Sequence, residues 1–145
     1  MTRGFSLIEL LISLAIVGVL AALALPGYSQ VLQRAHRLDA RLALLRIQHL
    51  QESYFANHLT YARHFGSGDP PGLAITPRSD NGHYLLEMQT SVNGMTYTAI
   101  ARADPASRQA TDHNCMLLAI DQSGQRRAAD STLSWRNDDP NRCWG

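Results

Sequence analysis

The chain has 145 residues and a formal net charge of +1, with 45% hydrophobic and 17% charged residues. That length holds one ordinary domain and excludes two. The near-neutral balance excludes a global electrostatic pull toward nucleic acid or anionic lipid. All 13 basic residues are arginine, which we ascribe to genome composition ahead of any selection for forked contacts.

From Phe5 to Leu25 the sequence is apolar except for Glu9 and two serines, Ser6 and Ser13. A run of about 20 such residues spans a bilayer as a helix, so a plain anchor is one reading. A secretory signal peptide is a second, with Arg3 as its charged end, Leu10 to Leu20 as its apolar stretch and Ala22 to Ala24 as its small-residue cleavage site. In a third, processing falls after Gly4 and the run stays on the mature chain. Glu9 separates them. In a discarded peptide the acid only weakens the apolar run, and in a plain anchor it costs about 2.5–3.5 kcal/mol if deep. After a cut at Gly4, Glu9 lies one helical turn from a new amine on Phe5 and faces the positive end of the helix dipole. A subunit alongside offers its own terminal amine. An unpaired buried carboxylate is costly, so the acid then favours assembly in one register.

After Pro26, Tyr28, Val31, Ala35, Leu38, Leu42 and Leu45 recur at three- and four-residue spacing, followed by Ile47, Leu50 and Tyr54 on a shifted stripe. Gln33, Arg34, Arg37, Arg41, Arg46, Gln48 and Gln51 form the opposite face. We expect one helix from Ser6 to Phe55, its apolar stripe packed on the chain's own globular head. Pro26, which has no amide to donate, should bend or loosen it.

Residues 57–82 carry Gly66, Gly68, Pro70, Pro71 and Gly72 and predict a long irregular connection. Alternation at Tyr84, Leu86 and Met88, a turn at Asn93–Gly94 and a return from Met95 to Arg102 predict a hairpin. The stretch ADPASRQATDHN is expected to be a loop, Cys115 to Asp121 a third strand, DQSG a type I turn and Gln125 to Ala129 a fourth strand. From Asp130 the tail is expected to be irregular. The fold class is therefore α+β, with three or four antiparallel strands across an amphipathic helix.

Cys115 and Cys143 have neither C-x-x-C nor zinc spacing. If the chain is exported, a disulfide is the default, closing a loop of about 29 residues worth at most ~3.6 kcal/mol by chain entropy. The six histidines are scattered, and no nucleophile elbow, P-loop or H-E-x-x-H occurs. No enzyme activity and no cofactor or metal are expected.

The segment GFSLIELLISLAIVGVLAALALP resembles the class III signal sequence of type IV pilins and type II secretion pseudopilins. The resemblance implies a leader of residues 1–4, cut by a prepilin peptidase between Gly4 and Phe5 and followed by methylation of the Phe5 amine. It makes Glu9 the assembly carboxylate and Pro26 the family's helix-kinking proline. It implies an assembly helix at 5–25, an amphipathic continuation at 26–56, and a head at 57–145 with a disulfide-bounded region at 115–143. RAHRLDARLALLRIQHLQESYFANHLTYA is similar to PilE-like minor pilins of the type IVa class, and the cysteine pair speaks against the pseudopilin branch. The implied partners are other pilin subunits, the prepilin peptidase, the inner-membrane assembly machinery and the inner membrane itself before extraction into the extracellular filament. Twitching motility and adhesion are the expected outlets. DNA binding by the head is an alternative expectation. Arg34, Arg37 and Arg41 share a helix face, but Arg34, Arg37, Arg41 and Arg46 against Asp39 and Glu52 leave that helix only modestly positive.

Overall fold

A computed structural model describes residues 6–132, 134–136 and 141–145; the side chains of 23–27 and 136 lie outside that description. The expected helix is α1, Leu7–His58. Its first bonds run from the amides of Glu9 and Leu10 to the Ser6 carbonyl. It ends three residues later than expected because the Leu59 amide still reaches the Phe55 carbonyl at 2.8 Å. Leu59 then takes a left-handed conformation, φ 57°, which closes a helix C-terminus. The chain divides into two compact units, Met1–Leu32 and Gln33–Gly145.

In the second unit, β1 (Tyr84–Thr90), β2 (Tyr97–Ala103), β3 (Leu117–Asp121), β4 (Arg126–Ala129) and β5 (Trp135–Arg136) form one antiparallel sheet in sequence order. The hairpin pairs Thr90 with Tyr97, so Asn93–Gly94 is not a two-residue turn. The Gly94 amide bonds the Ser91 carbonyl, and Ser91 and Thr96 close the loop. Gly94, at φ 70°, sits where an added Cβ would meet Thr60 at 2.9 Å. The DQSG turn forms as expected, with the Gly124 amide on the Asp121 carbonyl at 2.9 Å.

Three expectations are corrected. The loop before β3 contains a short 3-10 helix, Arg108–Thr111, capped by the Ser107 side chain accepting from the Gln109 amide. The tail is not irregular throughout: β5 pairs with β4, and α2 spans Asn141–Trp144. The largest correction concerns α1. Its head-facing residues are Ala40, Leu44 and Ile47, packed with Tyr84, Leu86, Tyr97, Leu118 and Ile120. One residue read as part of the polar face, Gln51, lies within that packing. Gln51 is fully buried, with Nε2 donating to the Ala62 carbonyl at 3.0 Å and Oε1 accepting from the Ala62 amide at 2.8 Å. Asp39, also buried, accepts from Ser79 Oγ at 2.6 Å and from Asn81. Buried polar groups are tolerated when their bonds are made, and Ala62, Ser79 and Asn81 make them here.

Cys115 and Cys143 are disulfide-bonded across a sequence separation of 28. Trp144 is buried beside this link and donates Nε1 to the Arg127 carbonyl at 3.0 Å. Trp135 is partly exposed and carries the Arg127 guanidinium over its ring.

Candidate assembly surface and arginine pocket

Two arrangements distinguish this chain, and a helix with 3.6 residues per turn creates both. The first is a row of uncovered apolar side chains. Leu7, Ile8, Leu10, Leu11, Ile12, Leu14, Ile16, Val17, Val19 and Leu20 are all exposed in the first unit, as are Tyr28 and Val31. In the second unit Leu38, Leu42 and Leu45 are 49%, 57% and 40% exposed, whereas Leu44 and Ile47 are 0% exposed. Within the second unit the row at 35, 38, 42 and 45 has steps of three, four and three residues, the a/d spacing that seats one helix against another. Water is a poor partner for such a surface.

Glu9 lies in the first turn of α1 and is exposed. Ser13 Oγ donates to its backbone carbonyl at 2.7 Å. Gly4 and Phe5, the expected cleavage pair, lie outside the described residues. So does the side chain of Pro26, through which α1 continues. Among the described residues no helix is long and apolar enough to cross a membrane; of the run from Phe5 to Leu25, Phe5 and the side chains of 23–25 lie outside the description.

The second arrangement brings together Arg34, Arg37 and Arg41, which one helix edge presents to the C-terminal segment. With Asn114, Arg142, Cys143 and Gly145 they line a polar cavity of about 270 Å³. Arg37 forms a two-point bridge to Asp112, Nε to Oδ2 at 2.7 Å and Nη2 to Oδ1 at 2.9 Å, and its Nη1 donates to the Arg142 carbonyl at 3.1 Å. Arg41 Nη1 donates to the Trp144 carbonyl, and Arg142 Nη2 to Asn114 Oδ1 at 3.3 Å. Nothing in the sequence pointed to Asp112 or to residues 141–145 as neighbours of these arginines, because 71 to 111 residues separate them along the chain.

Next to this edge, His36 and His83 stack with ring centroids 3.8 Å apart and planes at 20°. Burial, and then the neighbouring His83, hold the pKa of His36 below the ordinary histidine value; the Gln109 side chain and Asp39 oppose the shift.

Residues 26–119 match the family model described as type IV minor pilin ComP, DNA uptake sequence receptor, and residues 1–25 match the prokaryotic N-terminal methylation motif. The type IV major pilin protein PilE of Neisseria gonorrhoeae is 33% identical over 122 residues, covering 84% of this chain and 70% of that protein. A PilE1 protein of the same species is 33% identical over 122 residues, covering 84% of this chain and 54% of that protein. The chain spans about half the length of the first curated relatives it matches. A solved type IV pilin from Shewanella oneidensis overlaps 65% of this chain and 89% of its own at 19% identity, with a TM-score of 0.46, too loose to bear on the fold. The matched family model covers more than half of the sequence, and the chain belongs to the type IV pilin family.

Proposed function

We propose that this pilin is a minor structural subunit of a type IV pilus filament, held in the inner membrane by α1 until assembly. A prepilin peptidase cuts after Gly4, Phe5 becomes the methylated N-terminal residue, and Glu9 meets the Phe5 amine of a neighbouring subunit. The observation that carries the reading is the row of exposed apolar side chains on α1. Leu38, Leu42 and Leu45 point away from a core that Leu44 and Ile47 already fill. Apolar packing along this row supplies association energy, and the Glu9 charge pair supplies register. The experiment is Leu42→Glu, followed by immunoblotting of sheared filaments and of the membrane fraction. The expected result is loss from filaments with normal membrane levels; incorporation at wild-type levels would refute the reading.

A second reading has an observation of its own, the description of the matched family model as a DNA uptake sequence receptor. On that reading the head also contacts DNA once it is displayed on the filament. Retention of duplex DNA by the purified chain, weakening steeply with salt, is the expected result; no retention at low salt removes the reading.

A further inference from the structure

The sequence has two Asn–Gly pairs, Asn81–Gly82 and Asn93–Gly94. A glycine after asparagine has no Cβ to obstruct its backbone nitrogen from approaching the asparagine side-chain carbon. The two pairs are closely matched in this fold. Both asparagines are exposed, so access to water does not separate them. Both glycines have left-handed backbones, φ 73° and 70°. The Gly82 amide donates to the Ser79 carbonyl and the Gly94 amide to the Ser91 carbonyl, each at 2.9 Å. Their side-chain surroundings are opposite.

Asn81 is turned toward a negative charge. Its Nδ2 and its backbone amide both donate to Oδ1 of the buried Asp39 carboxylate at 3.2 Å. A carboxylate there opposes the anionic nitrogen and the oxyanion that an attack by Gly82 would create. Asn93 is turned toward donors. Its Oδ1 accepts from Ser91 Oγ at 2.7 Å and from the Met95 amide at 3.2 Å. The Ser91 hydroxyl accepts in turn from the Thr96 amide at 3.0 Å, which strengthens it as a donor. Oδ1 is the atom on which negative charge develops when the side-chain amide is attacked, and two donors aimed at it form an oxyanion hole. Nothing among the described residues holds Asn93 Nδ2, so the leaving group is free.

We propose that Asn93 is a self-modification site, converted to aspartate and isoaspartate through attack by the Gly94 nitrogen, and that Asn81 is spared. Hydroxide removes the Gly94 amide proton once its bond to the Ser91 carbonyl opens. The nitrogen bonds to Cγ of Asn93, the Cγ–Nδ2 bond breaks, and Nδ2 leaves as ammonia with a proton from water. The product is a five-membered cyclic imide. Water then opens it at Cγ to give aspartate, or at the backbone carbonyl to give isoaspartate. The sum exchanges ammonia for water and needs neither an oxidant nor an enzyme.

The site lies where the β1–β2 hairpin meets the end of α1. The Tyr61 amide donates to the Gly94 carbonyl at 2.8 Å, Thr60 fills the space beside Gly94, and Arg63 donates to the Val92 carbonyl. Isoaspartate adds a backbone carbon at this clamp, and either product adds a negative charge. The conversion runs one way, so the modified fraction rises with the age of the chain.

The test incubates the full-length chain in detergent at mildly alkaline pH, folded and in urea, and follows both asparagines by peptide mapping and mass spectrometry. Each rate is taken relative to that asparagine's own rate in urea. In the folded chain Asn93 should convert at least as fast as in urea, and Asn81 about tenfold more slowly. Ser91→Ala should slow Asn93 about tenfold in the folded chain and leave its rate in urea unchanged. Ser91→Thr keeps the hydroxyl and should restore the rate, with melting curves recorded for both variants. Protection of both asparagines in the folded wild type would overturn the proposal. So would conversion of Asn93 in folded Ser91→Ala at the wild-type rate or faster, which would assign the reactivity to opening of the loop instead of to the donors.

Discussion

Arg37 and Asp112, 75 residues apart, form a two-point ion pair in which the carboxylate is 1% exposed and the guanidinium side chain 11% exposed. This bond ties α1 to the loop before β3. Burying either charge alone is expensive, so removing one partner costs more than the pair contributes over a well-packed apolar replacement. Arg37→Ala should therefore destabilise the protein by about 3 kcal/mol, read as a shift in urea midpoint with unchanged slope. Arg37→Met combined with Asp112→Leu should recover most of that loss. A double variant as unstable as the single one would show that the charges are worth more than their burial costs.

Gln51 is the second polar anchor of the helix. Its amide both donates to and accepts from the backbone of Ala62, so it imitates a strand partner for one residue. Gln51→Leu keeps the volume and removes both bonds. The Ala62 carbonyl retains Thr90 Oγ1 at 2.9 Å, but its amide is left buried without an acceptor. The expected cost is about 2 kcal/mol. Hydrogen exchange should show the Ala62 amide losing protection ahead of the sheet; unchanged protection would mean that water replaces the side chain freely.

These two anchors also explain what was legible in the sequence. The helix, the hairpin, the Asp121–Gly124 turn and the third and fourth strands follow from periodicity and turn chemistry, which are local. The orientation of α1 does not. Leu38, Leu42 and Leu45 formed the best apolar stripe and were assigned to the head, yet they are exposed. Periodicity identifies an apolar face without saying whose surface covers it. Here the head takes a face with fewer large apolar residues, because Asp39, Arg37 and Gln51 find partners in loops distant in sequence. The two-residue β5 and the short α2 were missed for a related reason. Elements that small have no period of their own and are held by pairing with β4 and by the Cys115–Cys143 link.

The stacked pair His36 and His83 should make stability depend on pH. Burial and the adjacent ring hold His36 below its ordinary value of 6.5, so the unfolded chain binds a proton at a pH where the folded one does not. Stability from this site is complete above the unfolded value and is lost as pH falls through it toward the lower folded value. Asp121 acts in a separate window. Burial alone would raise its pKa, but hydrogen bonds from Ser123 and Gln125 and the charge of Arg127 outweigh that and hold it below 3.8. Its contribution is present above 3.8 and is lost as pH falls toward the folded value. Urea unfolding should give a lower free energy at pH 5 than at pH 7.5, with a slope of less than one proton. His36→Gln should flatten that interval and leave the acid limb below pH 4 in place. An equal slope in the variant would assign the titration to another histidine.

Glu9 provides the most demanding prediction, because the same side chain has opposite effects in two environments. In a bilayer an acid near the start of an apolar helix is a burden that falls as it approaches the interface. In a bundle of subunits it gains the terminal amine of a neighbour and the positive end of a helix dipole. Replacing it with alanine removes the burden and the gain together. Glu9→Ala should therefore enter the membrane fraction at least as well as wild type and disappear from sheared filaments. Glu9→Gln should be nearly as defective, since it keeps the shape and some hydrogen bonding but not the charge. Quantitative immunoblotting of both fractions checks this, in cells that still assemble filaments from their other pilins. Should either variant reach filaments at wild-type levels, register must come from the apolar row alone, with Leu38, Leu42 and Leu45 setting it through the fit of side chains into a neighbouring helix.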